Sequence, residues 1–248
     1  AGQAVQAIYV DRRGPELDRH WMLVDPQGRF LTQRQYPRMT LIATRFGTDG
    51  TLRLQAPGMP ELEVAASSRD RLEVRVWGDM LSAARVGDGA DDWLRAFLGV
   101  PCHLVEHPGD VRRPVDPAFA RPEDQVGLAD GFPFLLISQA SLNDFNGRLQ
   151  TPLSMIRFRP NLVVAGCEPY AEDGWRRIRI GDMAFRVAKP CSRCMIPTID
   201  PDTGERGREP MQTLLSYRRR DNKVYFGQNL IHDGLGRLHL GMTVEVVE

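Results

Sequence analysis

Polar and apolar residues alternate along much of the chain with the period of two that strands require. "HWMLVDPQGRFLTQ" predicts a strand, a Pro-Gln-Gly turn and a second strand, and "TLIATRFGTDGTLRLQA" repeats the scheme around Asp49-Gly50. In "DRLEVRVWGD" Leu72, Val74 and Val76 alternate with charged neighbours, the pattern of a half-buried strand. The last strands are read in "KVYFGQNLI" and "HLGMTVEVVE". Helical spacing is confined to three short stretches. "DGADDWLRAFLGV" has acids in its first turn, Trp93, Leu94, Phe97 and Leu98 on one face, and Gly99 as its stop. "SQASLNDFNGRL" is predicted to start on Ser141-x-x-Asp144, a weak capping box whose acid is shorter than the preferred Glu. "EPMQTLLSYRR" puts Pro210 near the first helical position, with Leu214 and Leu215 on one side. The expected class is mostly β with a few short helices (α+β).

Composition limits what such a fold can be for. A chain of 248 residues buries a sizeable core and suits two moderate domains. The Pro- and Arg-rich stretch from His107 to Gln125 is the expected linker or long surface loop. Apolar runs such as "PFLLI" and "NLVVAG" are far shorter than the roughly 20 residues of a membrane helix, so no membrane span is expected. Thirty-two basic and 32 acidic residues balance to a net charge of zero, which removes the broad basic footprint of a nucleic-acid-polymer binder. Basic residues therefore matter locally. All of them are arginine except Lys189 and Lys223. Four cysteines, Cys102, Cys167, Cys191 and Cys194, do not make a disulfide scaffold at this length, and a reducing cytoplasm is the expected location. The opening "AGQAVQAIYVDRRG" carries no basic-then-apolar leader and begins almost directly on a strand-like run.

The candidate chemistry lies in "AKPCSRCMIPTIDPDTGE", Ala188 to Glu205. Cys191-x-x-Cys194 has several readings on spacing alone. A structural zinc site needs four ligands, usually two such pairs, and the Cys102-His103 dyad lacks the usual spacing. A thioredoxin-type dithiol places its first cysteine at a helix N-terminus, whereas Pro197 and Pro201 interrupt any helix here. Two semi-buried thiols without chemistry are a third reading. Arg193 between the thiols, with Arg159 in "MIRFRPNLVV", adds a fourth: thiolate and arginines suit an anionic ligand that contains a soft metal.

Those residues also carry a resemblance. "FRPNLVVAGCEPYAEDGWRRIRIGD", "CSRCMIPTIDPDTGE", "EPMQTLLSYRR" and "FGQN", in that order, resemble the MOSC domain, specifically its amidoxime-reducing group of mitochondrial and bacterial members. "ELDRHWMLVDPQGRFLTQRQYPRMTLI" is similar to the β-barrel module that precedes MOSC there. The resemblance implies an N-terminal β-barrel-like module over residues 1–100 and a MOSC β-barrel domain over 101–248. It further implies a pyranopterin molybdenum cofactor whose metal takes one protein cysteine. The cysteine before "MIPT", Cys194, matches that ligand, and Cys191 becomes its neighbour. Arg19 of "DRHW", Arg159 of "FRPN" and Arg193 match the family's cofactor contacts, with Gly131, Phe132, Ser192, Gln228 and Asn229 as further contacts. The family's first strand ends in a Lys-Ser pair on the cofactor, and this sequence opens where that strand should end, so that strand is expected to be missing.

The activity the resemblance implies is reduction of small N-hydroxylated compounds, amidoximes or hydroxylamino bases, to amidines or amines. Electrons are expected from a separate ferredoxin-type or cytochrome b5-type protein with its reductase, since no iron–sulfur module lies within the sequence. Asp200 and Asp202 lie close to Cys194, but "DPDTGE" reads as a turn rather than a proton donor. The alternative is a non-catalytic module that binds the molybdenum cofactor or carries sulfur.

Overall fold

A computed structural model describes residues 2–47, 51–64 and 68–248. Contacts divide the chain into two compact units, and both are built mainly of strands.

The first unit takes in Arg19–Arg113 and the segment Ile199–Arg206. Strands Trp21–Val24, His103–Glu106, Asp79–Arg85 and Arg71–Val76 lie side by side in that order, all antiparallel. A smaller sheet joins Ala43–Phe46, Leu52–Gln55 and Leu62–Glu63. The Asp49-Gly50 turn predicted between the first two lies outside the described residues. The second half of "HWMLVDPQGRFLTQ" is not a strand: after the turn at Gly28 only the isolated bridges Val24–Phe30 and Arg29–Arg75 form among the described residues. A Cβ at Gly28 would meet the Glu73 carbonyl oxygen at 2.2 Å, so the turn lies tight against the neighbouring strand, to which Gly28 O and Phe30 N bond at Arg75. Helix Asp88–Leu98 buries Trp93, Leu94, Phe97 and Leu98 as its periodicity demands, and Gly99 ends it at φ 74°. Its Asp91 is buried and accepts from Leu104 N at 2.9 Å and His103 Nδ1 at 2.7 Å, which ties the helix to its strand. Cys102 lies in the same apolar cluster, where burial pushes its thiol up to about 11.

The second unit takes in Val5–Asp18, Pro114–Thr198 and Gly207–Glu248. Its main sheet, a nearly closed barrel, runs Leu162–Val164, Phe134–Ser138, Lys223–His232, Met183–Ser192, Arg177–Ile180, Val244–Val246. The first pair is parallel and the others are antiparallel. Ala7–Asp11 pairs with Gly236–His239, so the C-terminal apolar run predicted as one strand is two, broken around Gly241 at φ 86°. One core holds Phe134 edge-on to Phe185 at 5.2 Å; another stacks Phe145, Phe158 and Phe226 within 6 Å.

Two helix readings need correction in this unit. Helix Gln139–Asn146 is capped by Ser138, whose Oγ accepts from Ser141 N at 2.9 Å, and not by Ser141. Ser138 ends a strand with extended backbone, the geometry a cap needs. Ser141 Oγ is instead donated to Glu172 at 2.8 Å. In helix Met211–Tyr217, capped by Pro210, Leu214 is buried but Leu215 is 47% exposed, because successive helical residues point about 100° apart. No helix among the described residues is long and apolar enough to cross a membrane.

Candidate cofactor site

The thiol pair stands where a long strand breaks. Met183–Ser192 lies antiparallel to Lys223–His232, but its register shifts between Val187 and Lys189 and again between Pro190 and Ser192. Pro190 has no N–H to give the ladder, and bulges around it are the expected response. The partner strand gives way as well. Gly227 takes φ 81°, and a Cβ there would stand 2.6 Å from Ile137 Cγ1 and 2.7 Å from Leu136 O. Beyond Ser192 the backbone leaves the sheet after one further bond, Arg193 N to Val224 O at 2.7 Å. It then passes Cys194 into the short 3-10 turn Ile196–Thr198, so no α-helix follows either thiol.

Arg193 is the organising side chain. Its Nη2 donates to Phe158 O at 2.8 Å and its Nη1 to Cys191 Sγ at 3.2 Å, with the guanidinium 5.6 Å from the Phe158 ring. Nε is buried and has no hydrogen-bond partner. A buried donor of a charged group left unpaired costs more than an ordinary lost hydrogen bond, so this nitrogen marks a place for an acceptor the protein itself does not supply. Fully buried Phe158 and Phe226, 4.5 Å apart, form a dry wall beside Cys191, which packs against the same cluster.

Arg159 follows Phe158 with φ 56°, and Arg19, in the first unit, has φ 49°. A left-handed backbone costs a non-glycine residue roughly 1–2 kcal/mol, and such outliers gather where a side chain must be aimed. Arg159 also precedes Pro160. The three elements from Phe158 to Arg159, Cys191 to Cys194 and Val224 to Asn229 thus converge through Arg193.

The remaining predicted residues fall in two places. Gln228 is buried and donates Nε2 to Asp173 Oδ1 at 2.7 Å, while Asn229 lies between Leu135 and Lys189 in the ladder. Ser192 is exposed opposite Tyr225. Gly131 and Phe132 lie in the loop before Phe134–Ser138, where the Phe132 ring packs on Phe119 and under Lys189 Nζ at 5.0 Å. Asp200 Oδ1 accepts from Asp202 N at 2.9 Å and Thr203 N at 3.1 Å, which makes "DPDTGE" the turn its sequence suggested.

Sequence reasoning missed Asp173. A carboxylate only accepts, so the Gln228 amide must turn its nitrogen to Asp173 and its oxygen away. Arg218 Nη2 fixes Asp173 at 2.7 Å, and the next residue back, Glu172, is buried under Ser138 N and Ser141 Oγ. Among the described residues no group of three or more His, Cys, Asp and Glu side chains comes together, and none of the four cysteines is in a disulfide. Two half-buried thiols with the Arg193 guanidinium on one of them suit a ligand that brings most of its own metal donors together with an anionic group.

Two domain families match this chain. The MOSC N-terminal beta barrel domain matches residues 1–101, and the MOSC domain matches residues 123–245. Mitochondrial amidoxime-reducing component 1 of Homo sapiens is 37% identical over 249 residues, covering 94% of this chain and 74% of the relative. The chain belongs to this MOSC-domain family. The Danio rerio component 1 is 36% identical and covers 98% of this MOSC protein and 78% of its own length. The molybdenum cofactor sulfurase of Oryza sativa subsp. japonica is 31% identical over 91% of the chain but only 30% of that protein.

Proposed function

We propose that this MOSC protein holds a pyranopterin molybdenum cofactor and reduces small N-hydroxylated compounds, amidoximes or hydroxylamino bases, to amidines or amines. The cofactor supplies the oxygen-accepting metal and its two-electron chemistry; the chain supplies binding, orientation and exclusion of water. The fit rests above all on Arg193 Nε, a buried cationic donor with no hydrogen-bond partner among the described residues, on the side chain whose Nη1 holds Cys191 Sγ.

Cys194 gives the single protein thiolate to the metal. Arg193, locked by Phe158 O and Cys191 Sγ, holds its remaining nitrogen for an anionic or acceptor edge of the ligand. Arg159 adds a planar donor fork that matches phosphate geometry better than lysine does, and Arg19 is proposed as a cofactor contact on its resemblance to the family's position alone. Gln228, with its amide set by Asp173, offers an acceptor to ring N–H groups, and Asn229, Ser192, Gly131 and Phe132 complete the contacts. The Phe158–Phe226 wall keeps that edge dry, which strengthens every charged contact there. Electrons come from a separate electron-transfer protein of ferredoxin or cytochrome b5 type.

Similarity over most of the chain to proteins named for amidoxime reduction supports the activity. Similarity to the rice sulfurase supports a second reading, a module that binds the cofactor or carries sulfur without turnover. Protein made in a host competent for cofactor synthesis is expected to carry close to one molybdenum and one pterin phosphate per chain, and to convert benzamidoxime to benzamidine with reduced donor. Stoichiometric zinc without molybdenum would end the cofactor reading. Full molybdenum without turnover, under dithionite or any protein donor, would favour the second.

A further inference from the structure

We propose that the hairpin Arg219–Lys223 is the docking surface for an acidic electron-transfer protein, an inference that rests on the reductase reading above. The hairpin joins strand Arg219–Arg220 to Lys223–His232 through Asp221 and Asn222, both with positive φ (46° and 59°). Two consecutive left-handed residues make the tight turn whose twist matches its strands. Arg219, Arg220, Asp221, Asn222 and Lys223 are all exposed.

Ion pairing among the described residues does not account for the cations there. Arg220 and Lys223 are directly opposed across the ladder, and like charges in that position destabilise a strand pair. Arg219 donates to Asn222 Oδ1 at 2.8 Å, and the Arg220 guanidinium lies 4.9 Å from the Tyr225 ring; among the described residues none of the three cations is in an ion pair. Three cations against the single carboxylate of exposed Asp221 leave this hairpin with a net positive charge in a chain whose total is zero.

The tip is also beside the thiols. Tyr225 is the ladder partner of Ser192, and Val224 O accepts from Arg193 N, so the hairpin strand flanks the Cys191–Cys194 segment itself. Lys223 is two residues from Tyr225, about 7 Å along the strand. Met195, next to Cys194, is 53% exposed, and Leu215 on the adjacent helix is exposed too. Apolar contacts beside a mainly positive rim are the arrangement of a fast, weak encounter surface. A partner with an acidic face around its redox group would be steered to the tip and set its electrons down close to Cys194.

The experiment mixes oxidised holoprotein with reduced cytochrome b5, and separately with a reduced [2Fe-2S] ferredoxin, and follows donor oxidation at low and high salt. The parent is expected to oxidise at least one of these donors at a rate that falls steeply with salt. The Arg220→Glu/Lys223→Glu variant should be at least ten-fold slower at low salt and insensitive to salt, with molybdenum content and reduction by dithionite unchanged. The Ala/Ala variant should fall between them. Equal rates in parent and charge-reversed protein would overturn the proposal, as would a parent that dithionite reduces but no protein donor does. Hairpin-dependent capture by phosphatidylserine vesicles without any change in donor oxidation would overturn it in favour of a lipid surface. Donor oxidation reports docking, whereas benzamidoxime turnover with dithionite reports the reductase reading, so either can fail alone.

Discussion

Arg193 gives one guanidinium nitrogen to Cys191 Sγ at 3.2 Å and another to Phe158 O at 2.8 Å. The cation between the two thiols is therefore committed to the first of them, and this supports the proposal of different roles for two cysteines three residues apart. Cys191 belongs to the protein's own framework. Cys194 follows the point where the strand has ended.

Arg193→Lys is expected to behave as a severe change. A single ammonium cannot span the Phe158 carbonyl and the Cys191 sulfur while holding a third nitrogen for a ligand. Loss of the charge-assisted bond to a buried carbonyl costs about 1.5–3 kcal/mol. Urea unfolding of the cofactor-free protein should show a loss of that order, and pterin content per chain should fall further than stability accounts for. Full pterin retention in the lysine variant would show that the third nitrogen has no ligand.

Gly227→Ala tests the bulge opposite the thiols. Its φ of 81° disfavours any side chain, and the new Cβ would lie 2.6 Å from Ile137 Cγ1 and 2.7 Å from Leu136 O, of which the carbonyl cannot move aside. Left-handed strain and overpacking together predict a loss of about 2–5 kcal/mol. Equilibrium unfolding measures it. Gly58→Ala, also at positive φ but with nothing within 4 Å, should lose only the conformational part.

Much of this fold was legible because period-two alternation is local. Val74 and Val76 are buried as their strand pattern required, and the Trp93–Leu98 face is where its spacing put it. What failed was decided at a distance. Ser138 and Ser141 are equivalent as sequence signals, and only buried Glu172, 31 residues past Ser141, settles which one caps. The thiol pair and Arg193 were readable as one motif. The left-handed backbones of Arg19 and Arg159 were not, since positive φ is expected of glycine and asparagine rather than arginine. Asp173 gave no local signal at all: it acts on Gln228 from 55 residues away.

His232 sets a pH dependence of stability. It is 9% exposed; Nε2 donates to Asp11 O at 2.7 Å, and Nδ1 is buried without a partner. Burial lowers its pKa below the ordinary 6.5, because a second ring proton would find no acceptor and the charge no solvent. As pH falls through 6.5 the unfolded chain binds a proton that the folded protein refuses, so stability is present above that pH and is lost as pH falls toward the folded value. The urea midpoint of the parent should drop between pH 7.5 and 5.5. His232→Gln, which keeps a donor for Asp11 O, should flatten that drop, and an unchanged slope would assign it to other groups.

The two cysteines supply the sharpest test of the site. A dithiol mechanism needs both sulfurs, one to attack and one to resolve, so either substitution abolishes it. A metal-holding thiolate needs one. Cys194→Ala is expected to lose turnover and the protein's bond to molybdenum, while pterin is partly retained by the arginines. Cys191→Ala removes the sulfur end of the Arg193 clamp but leaves its bond to Phe158 O, so metal and most turnover should survive with weakened pterin retention. Elemental analysis, pterin fluorescence after oxidation and benzamidoxime reduction separate the cases. Equal loss in both variants with molybdenum unchanged would point to dithiol chemistry. Loss of metal in Cys191→Ala but not in Cys194→Ala would move the ligand to the thiol that Arg193 holds.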